Sequence, residues 1–305
     1  MEKFDVVVLS GGATRGVLTL GALNYYYEKG QYDPRHTHTY AGSSIGAVIG
    51  LLLICGYTPM EIFTEIYKAD DNLFDMTGDL GTMITNMGVM STNNFIARIE
   101  TLVKAKMGSE IPTLGELFED TGKTLVVTAS NITKVKCEYY TPKTRPNLLC
   151  VDAVKLSCNL PLIFTRIKYD GNYICDGGFM DNFPIKYVDD RIQKILGIVT
   201  QGTDLNNTYD DTKFIGYLYR ILSMPMHANT ELRCEDYRSN TTLIKIQWDN
   251  ETDSVSLLSL SNEHKLNMFL HGTNTAEYSD RTEYLYVEEW ENFKHIPSEK
   301  DVRIQ

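Results

Sequence analysis

The chain has 305 residues, 43% of them hydrophobic, and a formal net charge of −11. That length and apolar content suit one large α/β domain or two modest ones with a sizeable core. With 40 acidic against 29 basic residues and no basic block, the charge argues against nucleic-acid binding and against electrostatic adsorption to an anionic membrane. Met1-Glu2-Lys3-Phe4-Asp5 runs straight into a strand, so no signal peptide is expected. The longest apolar stretch is about twelve residues, too short to span a bilayer. Six cysteines without a Cys-x-x-Cys pair read as reduced thiols of an intracellular protein, cytoplasmic or peripheral on membranes.

Residues 4–9 (FDVVVL) form the β-branched run of a buried parallel strand. The run ends in Ser10-Gly11-Gly12-Ala13-Thr14-Arg15-Gly16, and a helix is predicted over 17–29 with Gly30 at its C-terminal cap. A strand, a glycine loop and a helix in that order aim backbone N–H groups at an anion. One candidate anion is a dinucleotide, but the second glycine of Gly-x-Gly-x-x-Gly is Ala13 here, and no acidic residue closes a clear second strand at the right distance. The other is the oxyanion of a tetrahedral intermediate, which needs two or three N–H donors; Gly12, Ala13 and Thr14 supply them. A simple tight turn is the third reading. For Arg15 the choice lies between an ordinary salt bridge and bracing the loop or touching a headgroup phosphate.

A short strand over 38–41 leads into Gly42-Ser43-Ser44-Ile45-Gly46, and an apolar helix over 45–55 leads out. Gly-x-Ser-x-Gly between strand and helix is the pattern of a nucleophile elbow. The tight turn crowds the positions two before and two after the serine, which explains Gly42 and Gly46. Ser44 then stands near a helix N-terminus, whose dipole favours developing negative charge.

Further helices are predicted from Thr58-Pro59, from Ser91 or Thr92 to about residue 107, and over 114–119, where Thr113 and Glu116 make a capping box. Residues 70–90 are irregular and rich in methionine, fitting either an adaptable apolar mouth or an ordinary loop. Strands are predicted over 125–130 and 134–141, and a helix over 151–158 ended by Asn159-Leu160-Pro161. Asp170-Gly171 signals a hairpin between 165–169 and 173–175. The hairpin delivers Asp176-Gly177-Gly178, then Phe179-Met180-Asp181-Asn182-Phe183-Pro184. A buried strand over 194–200, an amphipathic helix over 214–224, strands over 241–248 and 255–260 and a helix over 262–278 complete the set, leaving a short polar tail over 283–305. No repeat or long linker divides the chain, so one α/β domain over 4–282 is the simplest account.

Ser44 needs a base. The histidines stand at 36, 38, 227, 264, 271 and 295, and none lies in a glycine-marked loop at a strand end. A triad of Ser44, Asp176 and His271 would have the chain order of an α/β-hydrolase, but only one βα unit precedes the elbow here. Asp176 is the better candidate, because it ends a strand and the glycines after it admit another backbone. A carboxylate serves as base when partial desolvation raises its pKa. Asp181, Asp70 and Asp71 are weaker rivals, and a turn aspartate capping its own loop is the plain alternative.

Three ordered motifs, Gly11 to Gly16, Gly42 to Gly46 and Asp176-Gly177-Gly178, make the chain resemble the patatin-like phospholipase family. Residues 113–131, 156–164, 176–184 and 262–278 are similar to that family's intervening segments, so the likeness runs over about 4–280. The resemblance implies a single-domain, three-layer α/β sandwich around a central, mostly parallel sheet. It implies a Ser44–Asp176 dyad without a catalytic histidine, and an oxyanion loop over Gly11, Gly12, Ala13 and Thr14. Arg15, Gly16, Gly42, Gly46, Gly177 and Gly178 would support these motifs. The implied activity is lipid acyl hydrolysis, phospholipase A-like and calcium-independent, with no metal or cofactor, a lipid substrate and transient contact with a membrane surface. A transacylase and a silent lipid-binding scaffold share the same fold. The family's third glycine is Ala13 here, a change that keeps the N–H but narrows the site if φ there is positive.

Overall fold

A computed structural model describes residues 3–69, 75–76, 85, 87–202, 214–235, 239–248 and 260–294. The first part of the chain forms β1 (Val6–Leu9), one turn of 3-10 helix (Ala13–Arg15), α1 (Gly16–Glu28), β2 (Thr39–Gly42), α2 (Ile45–Ile54) and α3 (Pro59–Lys68). β3 (Asp75–Met76), β4 (Gly88–Ser91), α4 (Asn93–Met107), α5 (Leu114–Thr121), β5 (Thr124–Asn131), β6 (Lys136–Tyr140) and α6 (Cys150–Ser157) follow. Then come β7 (Leu162–Phe164), β8 (Ile167–Tyr169), β9 (Asn172–Asp176), α7 (Gly178–Asp181), α8 (Ile185–Val188) and β10 (Ile195–Gly202). The last elements are α9 (Phe214–Glu235), β11 (Thr241–Trp248) and α10 (Asn262–Lys294).

Local chemistry explains many of these boundaries. Thr58 with Glu61, and Thr113 with Glu116, close reciprocal capping boxes at the starts of α3 and α5. Asp170 and Gly171 both adopt positive φ, 48° and 76°, the pair that a two-residue hairpin between β8 and β9 requires.

The main sheet has the strand order β11-β10-β1-β2-β5-β9-β8. β11, β10, β1, β2 and β5 run parallel, whereas β9 runs antiparallel to β5 and β8 antiparallel to β9. β6 takes β5's remaining edge, and β3, β4 and β7 form a small second sheet. Helices cover both faces. Val7 and Leu9 of β1 enter the larger apolar cluster with residues of α1, α2 and α3. Val6 and Val8 point the other way, into a smaller cluster with Phe183, Ile185 and Cys234. Period-two alternation in a strand buried on both sides thus yields the three-layer sandwich.

α1 and α10 cross at a pair of glycines. A Cβ at Gly21 would stand 2.0 Å from the Phe269 carbonyl oxygen, and one at Gly272 2.0 Å from that of Leu18. The backbones approach closely there, and Lys29 and Tyr25 both bond to Asp280 nearby.

Two helices run past their expected ends. α9 continues through Pro225 to Glu235, because contacts of its second half with α7 compensate for the missing proline N–H. α10 reaches Lys294 rather than stopping near 278, so part of the expected polar tail is helical. β7 was absent from the sequence pattern, since its strand pairing among the described residues is with distant β4. The strand expected over 255–260 and most of 70–86 lie outside the described residues. Among the described residues no helix is long and apolar enough to cross a membrane.

Candidate active site

The parallel strands β1, β2 and β10 deliver their C-terminal ends to one edge of the sheet, where open α/β folds place their sites. β9 supplies the remaining piece from the opposite direction. Gly42 pairs with Val127 of β5, and Asp176 pairs with Ala129. β6 occupies β5's other edge along the same residues, so β2 and β9 share one edge and meet end to end. The elbow after Gly42 and the acid at the end of β9 are brought together by this register.

Ser44 sits at the elbow with φ 51° and ψ −125°, in the region that non-glycine residues avoid. The glycines at minus two and plus two are required by contact. A Cβ on Gly42 would lie 2.5 Å from the backbone of Gly46, and one on Gly46 2.5 Å from the Leu9 carbonyl oxygen. Ser44 is the N-cap residue of α2, but its side chain makes no capping bond, which leaves the hydroxyl available. Its backbone N–H donates to Ser157 Oγ at 2.8 Å.

Asp176 is wholly buried. Its N–H donates to the Asn159 carbonyl at 2.9 Å, and the Gly177 N–H to that of Ser157 at 3.2 Å. The Gly178 N–H donates to Asp176 Oδ1 at 2.8 Å, whereas Oδ2 has no hydrogen-bond partner. Burial pushes the Asp176 carboxyl up to about 6, against the opposing pull of the Ser44 hydroxyl and the Gly178 N–H. Gly177 has no room for a side chain: a Cβ would lie 2.2 Å from Thr128 Oγ1. Cys158 and Cys175 flank the acid. Burial first, and the Asp176 charge second, raise both thiols far above neutrality, Cys175 to about 12. Neither competes with Ser44 as a nucleophile.

The glycine loop closes the site from β1. The Gly11 N–H is committed to the Asn182 carbonyl at 3.3 Å, and Asn182 Nδ2 returns a bond of 3.4 Å to the Gly11 carbonyl. Arg15 N–H bonds to the Gly12 carbonyl at 3.0 Å, and Gly16 N–H to those of Ala13 and Thr14. Gly11 thus holds the loop in place, whereas none of these backbone bonds takes up the N–H of Gly12, Ala13 or Thr14. Ala13 has φ 50°, so the condition under which its methyl group narrows the site is met.

Gly11, Gly12, Ala13, Arg15, Ser44 and Asp176 line one cleft of about 30 Å³. Leu160, Asn182, Thr200, Ser223, Met226 and His227 complete its wall. Thr200 Oγ1 and Asn182 Oδ1 are buried there without partners. Ser157, Asn182, Thr200 and the α9 residues were not singled out from the sequence. Ser157 and Asn182 fall in segments quoted only for their likeness, and nothing local marks Thr200 or the inner face of α9. His227 enters the cleft wall from α9. His271 instead bonds to the Gln247 carbonyl, His264 to Ser261 and His36 to Asp5; His38 bonds to Thr39. His295 lies outside the described residues. Asp181 lies elsewhere, accepting from the Tyr139 hydroxyl at 2.7 Å and facing Arg233 at 3.6 Å. Asp70 and Asp71 are outside the described residues. Among those described, no group of three or more His, Cys, Asp or Glu is placed to hold a metal ion.

The patatin-like phospholipase family model matches residues 7–189. The probable lipid hydrolase 463L of Invertebrate iridescent virus 6 is 37% identical over 236 residues, covering 75% of this chain and 80% of that one. Protein R571 of Acanthamoeba polyphaga mimivirus is 26% identical over 257 residues, 80% of this chain and 83% of its own. Among solved structures, VipD from Legionella pneumophila matches with a TM-score of 0.52 at 18% identity, a likeness of fold. It covers 91% of this chain but 66% of VipD, so this chain spans just under two thirds of that neighbour.

Proposed function

Because the chain belongs to the patatin-like phospholipase family, we propose that it is a lipid acyl hydrolase of phospholipase A type, with Ser44 as nucleophile and Asp176 as base. One observation supports this assignment: a buried carboxylate, one of whose oxygens lacks a hydrogen-bond partner, lines the same cleft as a half-buried serine at a strained turn whose hydroxyl caps nothing. A carboxyl poised near 6 is ionised at neutral pH and basic enough to accept a proton during attack. The catalytic domain takes in residues 4–282.

In the first step Ser44 Oγ attacks the ester carbonyl carbon and its proton passes to Asp176. The carbonyl oxygen becomes an oxyanion held by the N–H groups of Gly12 and Ala13, with Thr14 adjacent. Collapse breaks the bond to the alcohol, which leaves with the proton from Asp176, and the acyl group stays on Ser44. Water then attacks the acyl-serine, giving a proton to Asp176. Ser44 recovers that proton as the fatty acid departs. Ser157 holds both partners in place, its hydroxyl accepting from Ser44 N–H and its carbonyl from Gly177 N–H.

A fluorophosphonate probe and a phospholipid panel test the assignment. Wild type is expected to form a one-to-one covalent adduct and release fatty acid, and Ser44→Ala to do neither. Unchanged turnover in Ser44→Ala would refute the mechanism.

A further inference from the structure

Asn182 brings to the cleft a polar atom with no part in the acylation step. The residue is 6% exposed, and its side chain is held by its nitrogen. Nδ2 donates to the Gly11 carbonyl at 3.4 Å and to Thr230 Oγ1 at 3.1 Å. Thr230 Oγ1 donates its own proton to the Met226 carbonyl at 2.7 Å, so both partners of Nδ2 can only accept. Of the two ends of an amide, the nitrogen alone serves two acceptors. Oδ1 is thereby fixed on the opposite side, where it is buried and receives no hydrogen bond. Burying an acceptor without a donor is costly, and this residue lines the cleft.

Two glycines mark the place of this oxygen. A Cβ on Gly11 would stand 2.5 Å from Asn182 Oδ1 and 3.2 Å from Ser44 Cβ. One on Gly178 would stand 2.7 Å from Asn182 Oδ1 and 3.0 Å from Asp176 Oδ1. Oδ1 is therefore a near neighbour of the nucleophile past Gly11 and of the acid past Gly178. Two acceptors so placed give each other no proton, but one water can donate to both. Thr200 Oγ1 is also buried without a partner, but it stands by the oxyanion loop, 2.5 Å from where a Cβ on Gly12 would be.

We propose that Asn182 Oδ1 orients the water that hydrolyses the acyl-serine. The proposal rests on the hydrolase assignment and concerns its second half. The water oxygen bonds to the acyl carbon, and one of its O–H bonds breaks as that proton passes to Asp176. The other O–H points at Asn182 Oδ1, and its proton stays on the oxygen and leaves with the fatty acid. With both protons directed, the attacking lone pair is aimed at the carbon. Ser44 has a single O–H and gives it to Asp176, so acylation does not use Oδ1. An alcohol that takes the place of water is in the same position as Ser44. Asn182 thereby favours water over other acyl acceptors, and hydrolysis over transacylation.

Cleavage of p-nitrophenyl butyrate in water with added methanol tests this through its products. Nitrophenol reports acylation, and the ratio of methyl butyrate to butyric acid reports which acceptor takes the acyl group. Asn182→Ala and the bulkier Asn182→Leu are expected to raise that ratio about tenfold over wild type, the effect of losing one hydrogen bond to the attacking water. Thr230→Val, which frees one side of Nδ2, is expected to raise it less, and it decides the matter if neither Asn182 variant folds. Loss of the Gly11 bond slows both products together, because one oxyanion loop serves both acceptors, and leaves the ratio alone. A ratio unchanged in the variants that fold, at whatever rate, therefore overturns the proposal and leaves the hydrolase assignment standing. Wild-type protein that releases nitrophenol no faster than Ser44→Ala overturns the assignment, and this proposal with it.

Discussion

The elbow that carries Ser44 and the turn that carries Asp176 hold their residues by different physical means. At the elbow the strain is in the backbone. Ser44 sits at φ 51°, and Gly42 and Gly46 are packed so closely that neither admits a Cβ. At the acid the backbone is ordinary, β9 paired in register to its last residue, and the strain is electrostatic: a buried carboxylate with only the Gly178 N–H and the Ser44 hydroxyl to offset its burial. One segment, Ser157 to Asn159, bonds to both turns. Strain of two kinds is thus held in register by one brace, and the two kinds separate under mutation.

The largest effect is expected at the acid. The Asp176 carboxyl is raised to about 6 from its ordinary value of 3.8. Because the folded-state value lies above the unfolded one, its contribution to stability is full below pH 4 and is lost as pH rises through 6. At pH 7 the ionised group costs up to about 3 kcal/mol. Asp176→Asn cannot ionise and keeps Oδ1 for the Gly178 N–H. It is expected to lose about 10²- to 10⁴-fold in turnover and yet to unfold at a higher temperature than wild type at pH 7. That gain should vanish by pH 4, and wild-type kcat/KM should fall as pH drops through about 6. Thermal unfolding of both proteins across this range checks the sign, and an Asn variant less stable at pH 7 would place the strain elsewhere.

A smaller effect is expected at the brace. Ser157→Ala leaves the part-buried Ser44 N–H without its acceptor, a loss of about 1–3 kcal/mol. Both turns lean on this residue, so kcat should fall about tenfold with little change in KM. Ser157→Thr, which keeps the hydroxyl, should restore much of it. Steady-state kinetics with thermal unfolding separates this from general destabilisation: a loss of stability alone, with kcat intact, would mean that the brace positions nothing.

What could be read beforehand was what is written locally. The β-branched run of β1, the glycine loop, the elbow, the capping boxes at Thr58 and Thr113 and the turn at Asp170-Gly171 each declare themselves within a few residues. Their order along the chain also carried the family resemblance. The end-to-end meeting of β2 and β9 could not be read, because it depends on which edge of β5 each strand takes. α9 past Pro225 was missed for a related reason: proline is a local stop signal, and the contacts that override it come from Met180, Asp181 and Asn182, more than forty residues away. Asn182 itself stood inside a recognised motif, but its bonds to Gly11 and Thr230 span distant parts of the chain. His227 was set aside with the other histidines because it stood in no glycine-marked loop at a strand end, and it fell beyond the expected end of the helix over 214–224.

The smallest effect is expected in the third loop, where the two kinds of strain can be compared on neutral ground. Ala13 has φ 50°, and a left-handed backbone costs a non-glycine residue about 1–2 kcal/mol. Ala13→Gly removes that cost but frees the unfolded chain, which returns about 0.4–1 kcal/mol. The net gain should lie between about 0 and 1.6 kcal/mol, or roughly 0–3 °C for a chain of this length. The N–H donors of Gly12, Ala13 and Thr14 are backbone groups and survive the change, so kcat should stay close to wild type while the space beside Ser44 widens by one methyl group. Bulkier acyl chains should profit most, through KM. If Ala13→Gly lowered the unfolding temperature, the positive φ would not be a cost at this position, and backbone strain would be confined to the elbow.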